Sequence, residues 1–107
     1  MNNPLPDDAR LLRIHPADNV LTVIAPLAEG GRIVIDGEAI ETTRAFSLGD
    51  KIASRPIAAG EKIVKYGAPI GSATRDIARG EHVHTHNLQS DYLPTFLRED
   101  QSRFFAA

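Results

Sequence analysis

Arg32-Ile33-Val34-Ile35-Asp36-Gly37-Glu38-Ala39-Ile40-Glu41-Thr42-Thr43 decides the fold class of this chain. The run Arg32 to Ile35 is rich in β-branched residues, and Asp36-Gly37 is a strong two-residue hairpin signal, because both central positions of a type I′ turn need a positive φ. The return strand should run from Glu38 to Thr43. Working outward, Glu29-Gly30-Gly31 breaks the chain before this hairpin, and two further short β-type segments precede it: residues 11–15, and Asn19 to Ala25 beyond a Pro16-Ala17-Asp18 turn. No segment before residue 68 sustains a helical period. Turn signals recur at the short spacing of an all-β or mostly β unit.

The middle of the chain contains an internal echo. Gly49-Asp50-Lys51-Ile52, Gly60-Glu61-Lys62-Ile63 and Gly80-Glu81-His82-Val83 each read glycine, acid, one variable residue, then a β-branched residue. The glycine can take a left-handed turn conformation, the acid can accept hydrogen bonds from turn amides, and the following residues resume an extended strand. Three turn-into-strand units are therefore expected. Between the second and third, Pro69 to Ala78 has an Ile70/Thr74/Ile77 spacing that predicts one or two helical turns as a short helical connector.

Composition narrows the function classes. The 107 residues suit one domain that folds alone, with 42% hydrophobic and 24% charged residues and a formal net charge of -2. Lys and Arg are scattered without a basic run or an aromatic platform, so the electrostatic footprint of a nucleic-acid binder is missing. The absence of cysteine excludes disulfides, thiolate nucleophiles and thiolate metal sites, leaving histidine and oxygen ligands for any metal. Neither a secretion signal nor a membrane span is expected, and a cytoplasmic setting is the default. Residues 1–10 read as a polar tail and 11–90 as the domain. Residues 91–107 carry Phe96, Leu97, Phe104 and Phe105 around a charged centre and read as a docking segment.

His82, His84 and His86 alternate at period two, so an extended strand would project all three from one face. Imidazoles bind iron, manganese and zinc and move protons near neutral pH, so the row could serve catalysis or a metal, although a solvated strand face is the plainer alternative. Lys65-Tyr66-Gly67 offers a cation for a carboxylate, a phenol for a hydroxyl, and a glycine that permits close backbone approach. A strand ending at a glycine turn would look the same. His15 and Asp18-Asn19 are weaker candidates, readable as a strand-end histidine and an Asx turn.

Three motifs in order, Ile14-His15-Pro16 with Asp18-Asn19-Val20, Gly60-Glu61 with residues 65–71, and residues 80–87, resemble the N-terminal SAF domain of the altronate and galactarate dehydratase family over residues 11 to 90. The resemblance implies a β-clip fold and a role in removing water from a sugar acid, usually with a divalent metal, often iron. In that family the domain either begins a long polypeptide or stands as a small subunit beside a large catalytic one, as in sulfolactate lyases. With the resemblance, His84 and His86 are favoured as catalytic or metal-binding residues and Asn87 as substrate-binding, while Lys65 and Tyr66 are offered as substrate-binding residues by their own chemistry. Too few convergent groups are present for the whole reaction, so a large dehydratase subunit or C-terminal catalytic domain is the expected partner, in an oligomer, and the chain alone should be inactive. A non-catalytic carbohydrate-binding or assembly module is the competing reading.

Overall fold

The computed structural model describes residues 6–91, which form nine short strands and, among the described residues, no helix. In order these are β1 (Leu11–Leu12), β2 (Val20–Val23), β3 (Arg32–Ile35), β4 (Glu38–Glu41), β5 (Lys51–Ala53), β6 (Lys62–Lys65), β7 (Ala68–Ala73), β8 (His82–Val83) and β9 (Leu88–Gln89). All pairings are antiparallel, in a central sheet β1-β2-β5-β8, a hairpin β3-β4 and a sheet β6-β7-β9. The mostly β fold expected from the sequence is the fold observed.

The central sheet divides the core in two. Leu11, Leu21, Val23 and Ile52 pack with Ile33, Ile35, Leu27 and Phe46 of the β3-β4 unit. Val20, Ala53 and Val83 pack with Ile57, Ile63, Ala73 and Ile77 of the β6-β7 unit. Because strand side chains alternate between faces, neighbours such as Val20 and Leu21 serve opposite halves. Both faces of β2 and β5 are thereby covered, which is why these strands read as apolar runs rather than as clean alternation.

The two flanking units follow one plan thirty positions apart. Gly30 corresponds to Gly60, Ile33 to Ile63 and Gly37 to Gly67. The bridge Leu27–Phe46 corresponds to Ile57–Ile77. Asp36-Gly37 and Tyr66-Gly67 both have positive φ, the backbone of a type I′ hairpin turn. The second copy has one extra residue, a register shift at Ile63/Val64.

The glycine-acid echo is turn chemistry. Gly49, Gly60 and Gly80 all have positive φ. Carboxylate oxygens of Asp50, Glu61 and Glu81 accept from the N–H groups of Ser47, Ala58 and Ala78, each three residues earlier. In the remaining turn Gly31 stands where the acid would be, and Thr42 substitutes: its hydroxyl accepts from Gly31 N–H and donates to Ala28 C=O.

The short helical connector expected over 69–78 is absent. Ala68–Ala73 is strand β7, paired on both sides, and Ile77 exchanges both backbone hydrogen bonds with Ile57. One helical turn fixes several dihedrals for a single hydrogen bond, whereas these residues complete two ladders. Gly71 marks the difference: a Cβ there would lie 2.4 Å from the backbone oxygen of Gln89, so the residue serves a close strand-to-strand approach. Residues 91–107, expected as a docking tail, lie outside the described residues except for Asp91, whose carboxylate accepts from Lys62 and Ser72.

Candidate functional site

The histidines do not continue one strand. β8 ends at Val83, and His84 C=O accepts hydrogen bonds from the N–H groups of Asn87 and Leu88, closing a turn that returns the chain as β9 beside β7. Asn87, fully buried, holds this turn: its Oδ1 accepts from His84 N–H at 2.9 Å and its Nδ2 donates to His82 C=O at 2.8 Å. A turn gathers what an extended strand would have spaced apart. The His82 ring stacks on His84 with centroids 5.7 Å apart and lies 5.5 Å from His86.

Within this cluster the three rings differ. His84 and His86 are exposed, while the His82 side chain is only 12% exposed, edge-on to Phe46. An Arg44 guanidinium nitrogen lies 2.7 Å from His82 Nδ1. Guanidinium is a donor only, so Nδ1 accepts and the proton of the neutral ring sits on Nε2, on the side of Asp50, 3.9 Å away. Burial, then the Arg44 charge, holds the His82 pKa below the ordinary imidazole value against the opposing pull of Asp50. His82 is thus a neutral platform beneath two exposed imidazoles.

The second cluster joins two motifs far apart in sequence. Asp18, nearly buried, accepts from Gly67 N–H at 2.8 Å and from His15 N–H at 3.2 Å. The His15 ring rests on Gly67, where a Cβ would come within 2.8 Å of it. Asn19, also buried, donates to Lys62 C=O and accepts from Val64 N–H, stitching β2 to β6. This scaffold presents Tyr66, 58% exposed on a left-handed backbone of φ 57°, with the Lys65 ammonium 4.8 Å from the centre of its ring. Asp18 and Asn19 therefore act on backbone, and above them Tyr66 is exposed with Lys65 half-buried beside it.

Sequence reading passed over Lys51 as part of a turn motif. It pairs with Thr22 on one side and Val83 on the other, on an interior strand beside the residue that leads into the histidine turn. Burial and the charge of Lys65 lower its pKa, partly offset by Asp50. Arg44, the donor to His82, was missed as well; nothing in the sequence signals a contact across 38 positions.

Among the described residues no group of three or more His, Asp or Glu side chains is arranged to hold a metal ion. The stacked rings of His82 and His84 present faces rather than converging lone pairs. The donor set among the described residues does not by itself fit a complete metal centre. No described helix is long and apolar enough to cross a membrane.

Comparison with known proteins matches the sequence to a family. The family model of the altronate/galactarate dehydratase SAF domain covers residues 9–91. The chain is 41% identical to an altronate dehydratase of Escherichia coli over 75% of its length, and 41% identical to one of Bacillus subtilis over 87%. It spans only 16% and 19% of those two proteins. It is also 33% identical to the (2R)-sulfolactate sulfo-lyase subunit alpha of Chromohalobacter salexigens, covering 72% of this chain and 90% of that subunit. The paired hairpin units, the Asp18-to-Gly67 link and the histidine turn are thus features of a chain that belongs to the altronate/galactarate dehydratase SAF domain family.

Proposed function

We propose that this chain is the small, N-terminal-type component of a metal-dependent hydro-lyase that dehydrates a sugar acid such as altronate or galactarate. Its β-clip domain contributes side chains to a site completed by a large dehydratase subunit or catalytic domain in the cytoplasm. The observation that carries this reading is the gathering of three imidazoles on a turn held by a buried Asn87. Such an arrangement costs backbone regularity and is not needed to build either core half. The small share of the dehydratase relatives that the chain spans supports a partner that supplies the rest.

Loss of water from a hydroxy acid requires a base for the C–H α to the carboxylate, stabilisation of the enediolate, and a proton for the leaving hydroxide. In this reading His84 and His86, exposed and close to neutral His82, move a proton. Lys65 holds the substrate carboxylate and Tyr66 bonds a hydroxyl. Asn87 acts through the turn, its own amide being engaged by backbone. A divalent metal such as iron would stabilise the enediolate as an electrophile; it would take most of its ligands from the partner, and His84 and His86 are the groups of this chain that would approach it.

The test is co-expression with a large dehydratase-type subunit and a screen of sugar acids with several divalent metals. Dehydration by the assembly and none by the chain alone is the expected result. His84→Ala and His86→Ala should each lower the assembled activity about tenfold or more without changing the fold. Wild-type rates in both variants, or turnover by the chain alone, would refute the assignment. Assembly without any turnover would favour the second reading, a non-catalytic carbohydrate-binding or assembly module.

A further inference from the structure

Among the described residues the three lysines fall into two groups. Lys62 is exposed and paired with Asp91 at 2.7 Å. Lys51 and Lys65 are half-buried, and their ammoniums have no described hydrogen bond or ion pair, Lys65 lying against the Tyr66 ring. Lys51 is also on an interior strand, where a long cationic side chain is unusual. Its register with Thr22 puts it on the sheet face that carries Val20 and Ala53, the face toward β6, and Lys65 ends β6. Burial and the charge of Lys65 lower the Lys51 pKa, and Asp50 offsets this only in part.

Two like charges, each partly removed from water and neither neutralised by an acid side chain in an ion pair, destabilise the folded chain unless an anion sits with them. We infer that Lys51 and Lys65 form a two-cation clamp for an acidic ligand, and that the clamp selects a hydroxy acid bearing two acid groups over one bearing a single group. The inference rests on the hydro-lyase reading for the hydroxy-acid character of the ligand. It adds a residue, Lys51, and a charge class to that reading. Each acid group neutralises one ammonium, Tyr66 lies beside Lys65 for a hydroxyl, and Val83, the strand partner of Lys51, leads directly to His84. A monoanion leaves one of the two charges uncompensated.

The experiment is an NMR titration of the full chain, reading the lysine side-chain ammonium and Cε signals, with meso-galactarate as the two-acid probe. Gluconate is the one-acid probe, and sulfate at matched ionic strength is the control. Galactarate should shift the Lys51 and Lys65 signals together and raise the pH at which the Lys51 ammonium titrates, leaving the Lys62 signals in place. Lys51→Met, which keeps the aliphatic stem, should weaken galactarate binding about tenfold to hundredfold and bring the galactarate-to-gluconate ratio toward one. Lys62→Met should bind as wild type does. The clamp is overturned by wild-type galactarate affinity in Lys51→Met, by equal response to sulfate, or by no response of Lys51 to galactarate. If Lys65→Met weakens both acids while Lys51→Met weakens neither, the clamp fails and the hydro-lyase reading stands. If the clamp behaves as expected and the assembled complex turns over no acid, the hydro-lyase reading fails and the clamp stands.

Discussion

The hairpins β3-β4 and β6-β7 share a turn type, a strand length on the incoming side and a thirty-residue offset, yet they are used differently. The first is tied down by charge. Arg13 bridges Asp7 and Asp36, Arg79 pairs with Asp36 and Glu38, and Asp8 takes two bonds from the Arg10 guanidinium while facing Val34 N–H. The second turn is held from beneath, through backbone bonds to Asp18 and Asn19, so the side chains of Lys65 and Tyr66 take no part in anchoring it. It also gains a third strand, β9, which the first lacks. Duplicated local geometry leaves the choice between anchoring and chemistry to the side chains at the turn and to what packs below.

That contrast can be broken most severely at Gly71. Opposite Ile33 in the first unit stands Ile40, packed on the core; opposite Ile63 in the second stands Gly71, because β9 passes there. Gly71→Ala should lose about 2–4 kcal/mol in urea unfolding, since its neighbour is backbone and cannot swing aside. A change within about 0.5 kcal/mol would mean that β9 is not held against β7. Asn87→Ala comes next, at about 2–3 kcal/mol, because it strips the partners from His84 N–H and His82 C=O. It should also disperse the imidazole signals in NMR; a stable variant with an intact ring cluster would count against the turn as its organiser.

Acid should distinguish the two units. Hydrogen bonds from Arg10, against the opposing effect of burial, lower the Asp8 pKa to about 2. Burial raises Asp7, but bonds from Arg13 and from Asp36 N–H outweigh it and leave it lowered. A carboxylate with a depressed folded pKa contributes stability above its unfolded value, about 3.8, and loses it as pH falls toward the folded value. The first hairpin should therefore loosen between about pH 4 and pH 2, and Asp8→Asn should shrink that step to the Asp7 contribution in an NMR-monitored acid titration. His82 acts in a higher window: its folded pKa lies below the imidazole value of 6.5, so the unfolded chain takes the proton first and stability declines as pH drops through that value. Arg13→Met should cost only about 1 kcal/mol, its ion pairs being partly exposed. The smallest effect on unfolding belongs to Lys65→Met, within about 0.5 kcal/mol, because the contact of its ammonium with the Tyr66 ring is offset by the repulsion of Lys51. A loss comparable to Arg13→Met would make the second turn an anchor as well.

From the sequence alone, a physical reading reaches the β class, the Asp36-Gly37 hairpin and the three glycine-acid turns, because each is a local matter of φ, turn amides and a carboxylate three residues on. The residues of the candidate site were also legible as residue types, and their family was legible as three ordered motifs. Their arrangement was not. The period of the histidines suggested a strand, and only the pairing of β9 with β7 requires the chain to turn at His84 and stack the rings. The helical spacing at 69–78 gave way to two ladders for the same reason. Asp18 under Gly67, Arg44 on His82, and Lys51 between Thr22 and Val83 join residues tens of positions apart. Short-range chemistry is written in neighbouring letters, whereas the closing of long loops depends on burying both faces of the central sheet at once, and that is settled only when the whole chain has packed.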